Sequence, residues 1–303
     1  MYTNADGLIN KRGDLKLLLG SFKIRPDIIA INEIKAKNTK GVVVPSEFYL
    51  DGFQCFCNGL ECSAERGMLF LVNNSLSVSL VEVPSVFKEC MFIVVNDGQS
   101  NKLLIGNIYR SPSSSLENDQ TLLGLIKYLS NSLNLPTILV GDFNFPGIRW
   151  DIDTAGLVGL TCGERAFTDV LNENFFQQLV DRPTRQRGKD TPHILDLVIT
   201  NEHIVKDIEY LSPLGHSDHS ILNISCAIGY QPRCTPARFQ FHKGNYLGLV
   251  NYLSRDWERE FHLISGNASD MWTSFRNILS KGVTIFIPKI QFSDVRKKNY
   301  FFR

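Results

Sequence analysis

The chain has 303 residues, 43% hydrophobic and 21% charged, with a net charge of +1 at pH 7. That is an ordinary globular composition with ample material for a core, and it suggests one large domain or one domain plus an extension. No run of about 18 apolar residues is present to form a membrane-spanning helix, and the opening MYTNADGLINKRGD lacks the apolar stretch of a secretory signal.

Taken in order, Leu15, Leu18, Leu19 and Phe22 fall at helical spacing and predict a helix over about 10–22. DIIAI (27–31), GMLFLV (67–72), MFIVV (91–95) and KLLIGNIY (102–109) predict buried strands. Leu122, Leu125, Ile126 and Leu129 predict a second helix over 119–132, closed by Pro136. TILVGDFN is the next strand, 163–176 the next helix, and ILDLVIT (194–200) and ILNISCA (221–227) are the last strands of the main domain. Strands in adjacent groups with few helices between them favour a layered α/β (α+β) sandwich over a doubly wound sheet. After Gly229 the segment YQPRCTPAR breaks the pattern, and 245–264 and 268–286 read as two helices. Residues 229–303 hold 12 Lys/Arg against 5 Asp/Glu, whereas residues 1–228 hold 20 against 26. The basic end, closing on RKKNYFFR, is suited to contact with nucleic acid, or equally to being a solvated linker. Seven scattered cysteines, without a zinc-type spacing, suit reduced thiols in an intracellular protein.

Chemistry concentrates in ILVGDFN (138–144) and GHSDHS (215–220), which place carboxylate, amide and imidazole groups at strand ends. Asp142 and Asn144 are two apart, so along a strand they would share a face. Acids at strand ends joined by a His and an Asn suit divalent-metal phosphoryl chemistry. A Ser–His–Asp hydrolase is a poor alternative, because no G-x-S-x-G elbow is present and Ser217 adjoins His219 too closely.

Six segments stand in order: YTNADGL (2–8), INEIK (31–35), NIYRSP (107–112), VGDFN (140–144), LDLVITN (195–201) and GHSDHS (215–220). Together they resemble the endonuclease/exonuclease/phosphatase superfamily, and in particular the endonuclease domain of non-LTR retrotransposons. The resemblance implies a four-layer sandwich of two packed β-sheets flanked by helices over residues 1–228. It also implies a helical connector over 229–303 that would lead to a reverse transcriptase, and a first strand shortened at its start. By the same resemblance Glu33 is the principal Mg²⁺ ligand, with Mn²⁺ as the substitute, and Asp6 and Asp218 are supporting metal-site acids. Asn4 positions the site, Tyr109 meets the scissile phosphate, and Asp142 and Asn144 orient the attacking water. Asp196 pairs with His219, while Arg110 and Ser217 touch the phosphate. The activity implied is nicking of one DNA strand to leave a 3′-hydroxyl for target-primed reverse transcription. Expected partners are DNA and, through the basic end, element RNA, with no membrane and a nuclear location. The alternatives are a phosphoesterase acting on lipid, nucleotide or RNA, and a non-catalytic nucleic-acid-binding fragment. RPTRQRGK (182–189) either lies along a phosphate backbone or is a solvated loop. His193, His203 and His216 read as ordinary loop residues.

Overall fold

A computed structural model describes residues 1–35, 43–61, 65–96, 102–133, 135–150, 161–188, 190–227, 238–262 and 268–290. The chain divides into two units, Met1–Tyr230 and Gln231–Arg303.

In the first unit, sheet one contains β1 (Tyr2–Asn4), β2 (Ile28–Asn32), β3 (Phe53–Asn58), β4 (Met68–Asn73), β11 (Val205–Leu211) and β12 (Ile221–Cys226). Their order is β11-β12-β1-β2-β4-β3. Sheet two contains β5 (Ser77–Val81), β6 (Cys90–Asn96), β7 (Lys102–Tyr109), β8 (Thr137–Asp142), β9 (Gln177–Gln178) and β10 (Asp196–Thr200), in the order β5-β6-β7-β8-β10-β9. Both sheets are mixed: β1 runs parallel to β2, and β7 parallel to β8.

Period-two alternation creates the layers. Ala30, Phe70 and Leu222 of sheet one meet Ile93, Val140 and Val198 of sheet two in the middle core. The intervening residues Ile29, Ile31, Leu69 and Leu71 face Leu15 and Leu19 of α1 (Arg12–Ser21). Phe92, Leu104, Leu139 and Leu197 face α2 (Leu116–Tyr128) and α3 (Cys162–Glu173) through Leu122, Ile126, Phe167 and Val170. The result is helix, sheet, sheet, helix, the four-layer sandwich that the strand grouping and the resemblance implied.

Helix ends follow local chemistry. The Ser115 hydroxyl accepts the Asn118 N–H, and Thr161 and Glu164 form a reciprocal capping box. Helix α2 starts and stops about three residues earlier than its apolar stripe suggests, passing into a π-turn over Leu129–Leu133. Strands β3, β5, β9 and β11 escaped the sequence reading, and β1 was expected only from the resemblance. Strand β11 (VKDIEYL) is an edge strand carrying charge, and β1 has only three residues, against five in β2 and six in β12.

The second unit contains α4 (Tyr246–Leu253), α5 (Trp257–His262), α6 (Ala268–Phe286) and a short ladder of β13 (Arg238–Phe239) with β14 (Lys289–Ile290). The single helix expected over 245–264 is two helices, because Ser254 leaves helical backbone at ψ 66°. Trp257, Phe261, Trp272 and Phe275 form a chain of ring contacts. The terminal RKKNYFFR lies outside the described residues, as do residues 151–160. No helix among the described residues is long and apolar enough to cross a membrane.

Candidate active site

The alternation that fills the middle core with aliphatic side chains turns polar at one end of the sandwich. Tyr2, Asn4, Asn32, Asn107, Tyr109, Asp142 and Asp196 continue the inward-facing positions of β1, β2, β7, β8 and β10. All seven are buried. Burying that many polar groups is costly unless each is paired; hydrogen bonds across the sheets pair most of them, while Asn32 Oδ1 and Asn107 Oδ1 are left without a partner.

Asp196 is fully buried. Its Oδ1 accepts the Tyr2 hydroxyl at 2.8 Å, and its Oδ2 lies 2.8 Å from His219 Nδ1. Its N–H, with that of Leu195, donates to Thr184 Oγ1 at 3.0 and 3.2 Å. His219 Nε2 thereby faces Asp142 Oδ2 at 3.9 Å and Asp218 Oδ1 at 3.7 Å. The Asn4 amide spans the sheets, with Nδ2 donating to Glu33 Oε1 at 3.1 Å and to Asp142 Oδ2 at 2.9 Å. Burial first, then the nearby Glu33 carboxylate, pushes the Tyr109 hydroxyl pKa up. Arg66 ion-pairs with Asp6 at 2.8 Å and with Glu33.

Asp6, Glu33 and Asn144 have φ values of 41°, 53° and 49°. Each lies one or two residues past a strand end. Left-handed backbone costs a non-glycine residue about 1–3 kcal/mol and persists where its surroundings over-determine it.

Several expected contacts are corrected. Strand β8 stops at Asp142, so Asn144 does not share its face. The Asn144 N–H donates to Asp142 Oδ1 at 3.2 Å, and its Nδ2 donates to the Arg110 carbonyl at 2.8 Å. Arg110 points away from the cluster: Nε and Nη2 donate to the two Asp119 oxygens at 2.7 and 2.9 Å, and its guanidinium lies 4.0 Å from the Phe145 ring centroid. A buried fork already matched to a carboxylate is not free for phosphate. Ser217 Oγ donates to the Asn4 carbonyl at 2.8 Å and accepts the His219 N–H at 3.2 Å, bracing the loop instead of meeting a phosphate. Asp218 is at the rim, its Oδ2 taken by Arg185 Nε at 3.1 Å. Residues 182–188 of the cationic segment are thus tied to the site by Thr184 and Arg185, while Arg182 lies over the Tyr210 ring. Tyr2, Asn32, Arg66 and Thr184 were missed. Asn32 had a signal, a polar residue closing the apolar run IIAI. Thr184 and Arg66 had none.

Negative charge is in excess. Five acids, Asp6, Glu33, Asp142, Asp196 and Asp218, gather here, and their ion pairs are with Arg66, Arg185 and His219. Burial first, then Asp196, pushes the Asp142 carboxyl up. Glu89 is raised to about 7 by burial, then Glu65 and Glu33. Burial would lower His219, but Asp196, then Asp142 and Asp218, outweigh it and push the imidazole up to about 10. A divalent cation would relieve this excess, and hard cations take oxygen donors of the kind Glu33, Asp6 and Asp142 offer. Asp142, Asp196 and His219 also bring ligand atoms within 4.8 Å of one another, so this trio too is a possible metal cluster.

These shifts have a sign. His219, raised in the fold, contributes stability that is complete below about pH 6.5 and lost as pH climbs to about 10. Asp142, also raised, favours the protonated fold, so its contribution likewise falls as pH rises above the ordinary carboxylate range. In EDTA, urea unfolding should show stability falling from pH 7 to 10, by on the order of 3 kcal/mol more in the wild type than in His219→Gln. Parallel profiles for the two proteins would contradict the assignment.

The sequence profile of the endonuclease–reverse transcriptase family matches residues 103–223, the stretch from β7 to β12 that carries Tyr109, Asp142, Asp196 and His219. In fold, the chain matches the endonuclease domain of TRAS1, a telomere-specific non-LTR retrotransposon, with TM-score 0.56 and 16% identity, over 76% of this chain and 99% of that one. Residues 103–223 thus resemble that family in sequence, and the first unit shares the fold of this endonuclease domain. A 3′ phosphatase from Neisseria bound to a product DNA hairpin also matches, with TM-score 0.55 and 14% identity, over 75% of this chain and 99% of that one. So does an AP endonuclease from Leishmania major, with TM-score 0.56 and 15% identity, over 74% and 86%. At such identities the likeness to these superfamily structures is one of fold alone. No curated protein matches the chain by sequence.

Proposed function

We propose that the first unit is a divalent-metal-dependent DNA endonuclease that nicks one strand and leaves a 3′-hydroxyl, the end from which target-primed reverse transcription starts. One observation carries this reading: the Asp196–His219 pair, Asp142, Asn4 and Glu33 converge at one end of the sandwich, and the segment that supplies Asp142, Asp196 and His219 matches an endonuclease–reverse transcriptase family. The superfamily is hydrolytic, and the polar end offers what phosphoryl transfer needs, positioned charge and a proton acceptor.

In this reading Glu33 is the principal Mg²⁺ ligand, with Asp6 in support. The cation supplies charge neutralisation at the phosphate. Asp142, held by the Asn4 amide and the Asn144 N–H, takes the proton of the attacking water. The imidazolium of His219, fixed by Asp196, stabilises charge on the phosphoryl oxygens as the P–O3′ bond breaks, leaving a 3′-hydroxyl and a 5′-phosphate. Asp196 is better employed there than as a metal ligand, because Tyr2 and His219 already occupy its two oxygens. Tyr109 and Asp218 border the phosphate. DNA is the partner, element RNA binds through the basic residues 229–303, the connector toward a reverse transcriptase, and the nucleus is the place of action.

The phosphatase among the structural matches supports a second reading, hydrolysis of a terminal phosphate. A supercoiled-plasmid assay separates the two. Relaxation with Mg²⁺, abolished by EDTA and by Glu33→Ala, is expected. Release of inorganic phosphate from 3′-phosphorylated duplex without nicking would replace the proposal with the second reading. Salt-sensitive DNA binding by folded protein with no hydrolysis would leave only a binding module.

A further inference from the structure

Arg66 is the strongest group that this mechanism does not use. It sits before β4, anchored to the segment that follows Glu33. Its carbonyl accepts the Lys35 N–H at 2.9 Å, and its Nε donates to the Lys35 carbonyl at 3.1 Å. The neighbouring Ile34 N–H donates to the Gly67 carbonyl at 3.2 Å. These bonds fix the stem and aim one terminal nitrogen, Nη2, between Asp6 Oδ1 and Glu33 Oε2.

The two carboxylates come from separate turns, and both have left-handed backbone that turns them toward a common point. What stands at that point is a guanidinium nitrogen. A guanidinium stays charged at any working pH, so it cannot vacate the position by losing a proton. Asn4 bonds Glu33 without bringing positive charge. Arg66 is therefore the cation that Asp6 and Glu33 share.

We propose that Arg66 is an internal counter-ion for the metal site: it holds Asp6 and Glu33 together in the metal-free protein and competes with the divalent cation for the same oxygens. This rests on the reading of Glu33 as a metal ligand. Metal entry then requires Nη2 to swing off the carboxylates, while the anchored stem keeps the guanidinium at the rim. The ion pair keeps two like charges from driving the turns apart when no metal is bound, and it weakens metal affinity in return.

The test is calorimetric titration of EDTA-stripped full-length protein with MnCl₂. It compares wild type, Arg66→Met, Arg66→Lys and Glu33→Gln, each checked for folding by circular dichroism. Arg66→Met should tighten Mn²⁺ binding about tenfold, the scale of a direct site-to-site coupling. Arg66→Lys keeps a charge but loses the planar fork, and should fall between Arg66→Met and wild type. It carries the test if Arg66→Met does not fold. Glu33→Gln should weaken binding. If Glu33→Gln weakens binding while both Arg66 variants bind as wild type or more weakly, the counter-ion role is overturned and the metal site stands. If Glu33→Gln leaves binding unchanged, the metal-site reading fails and the counter-ion role fails with it.

Discussion

His219→Ala should lower the metal-dependent nicking rate by about a thousandfold, the usual worth of a positioned proton-transfer or charge-stabilising group. The imidazole is 6% exposed and is held on one side by Asp196, so no solvent group can substitute for it. Asp196→Asn should cost nearly as much for a different reason. An amide can still accept the Tyr2 hydroxyl, but its NH₂ would then face His219 Nδ1. That reverses the tautomer and removes the charge that keeps the imidazole protonated. Initial rates on supercoiled plasmid check both variants, beside circular dichroism to show that they fold. A His219→Ala protein within tenfold of wild type would remove His219 from the mechanism.

Gly141→Ala should be the most damaging added methyl among the described glycines. Gly141 pairs with Ile108 where β8 runs parallel to β7, and a β-carbon there would stand 1.9 Å from the Ile108 carbonyl oxygen. The obstacle is backbone. Strands β7 and β8 lie inside sheet two, between β6 and β10, so neither can step aside without tearing a ladder. We expect a loss of about 3 kcal/mol or more, at the upper end for overpacking a core. The adjacent pair is Tyr109 with Asp142, so activity should fall beyond what the stability change explains. Gly124→Ala is the control. It lies exposed within α2 with nothing within 4 Å of an added β-carbon, and it should gain up to about 1 kcal/mol from helix propensity. Urea unfolding of the two variants against wild type measures both effects.

The strand-end motifs were legible because a buried strand is an apolar run and a polar residue closing it must have a purpose. Glu33 after DIIAIN, Asp142 after TILVG and Asp196 opening DLVIT all stand out in that way. The layer order was less legible. In MLFLVN both faces are buried, so the period-two signal that separates Phe70 from Leu69 and Leu71 disappears into one apolar run. Arg110 was misread because its partner Asp119 lies nine residues on, at the start of a helix, and nothing in YRSP reveals that pairing. Arg66 was invisible because its acids precede it by 60 and 33 positions and meet it only in space. Ser217 shows the same limit at short range. A serine two residues before a histidine looks catalytic, while its hydroxyl in fact ties the loop to the Asn4 carbonyl.

Sheet one is assembled from both ends of the first unit, with β1 lying between β2 and the late strand β12. A nascent chain that has reached Thr200 already contains every strand of sheet two, yet it lacks both β12 and His219. Asn4 and Asp142 then have no histidine to work with, and β1 has only one neighbour. Such long-range closure is slow to form, since much chain must be brought to order before the contacts reward it. The polar cluster around Asp142 is thus a late product of synthesis, incomplete on the ribosome until nearly all of the unit has emerged.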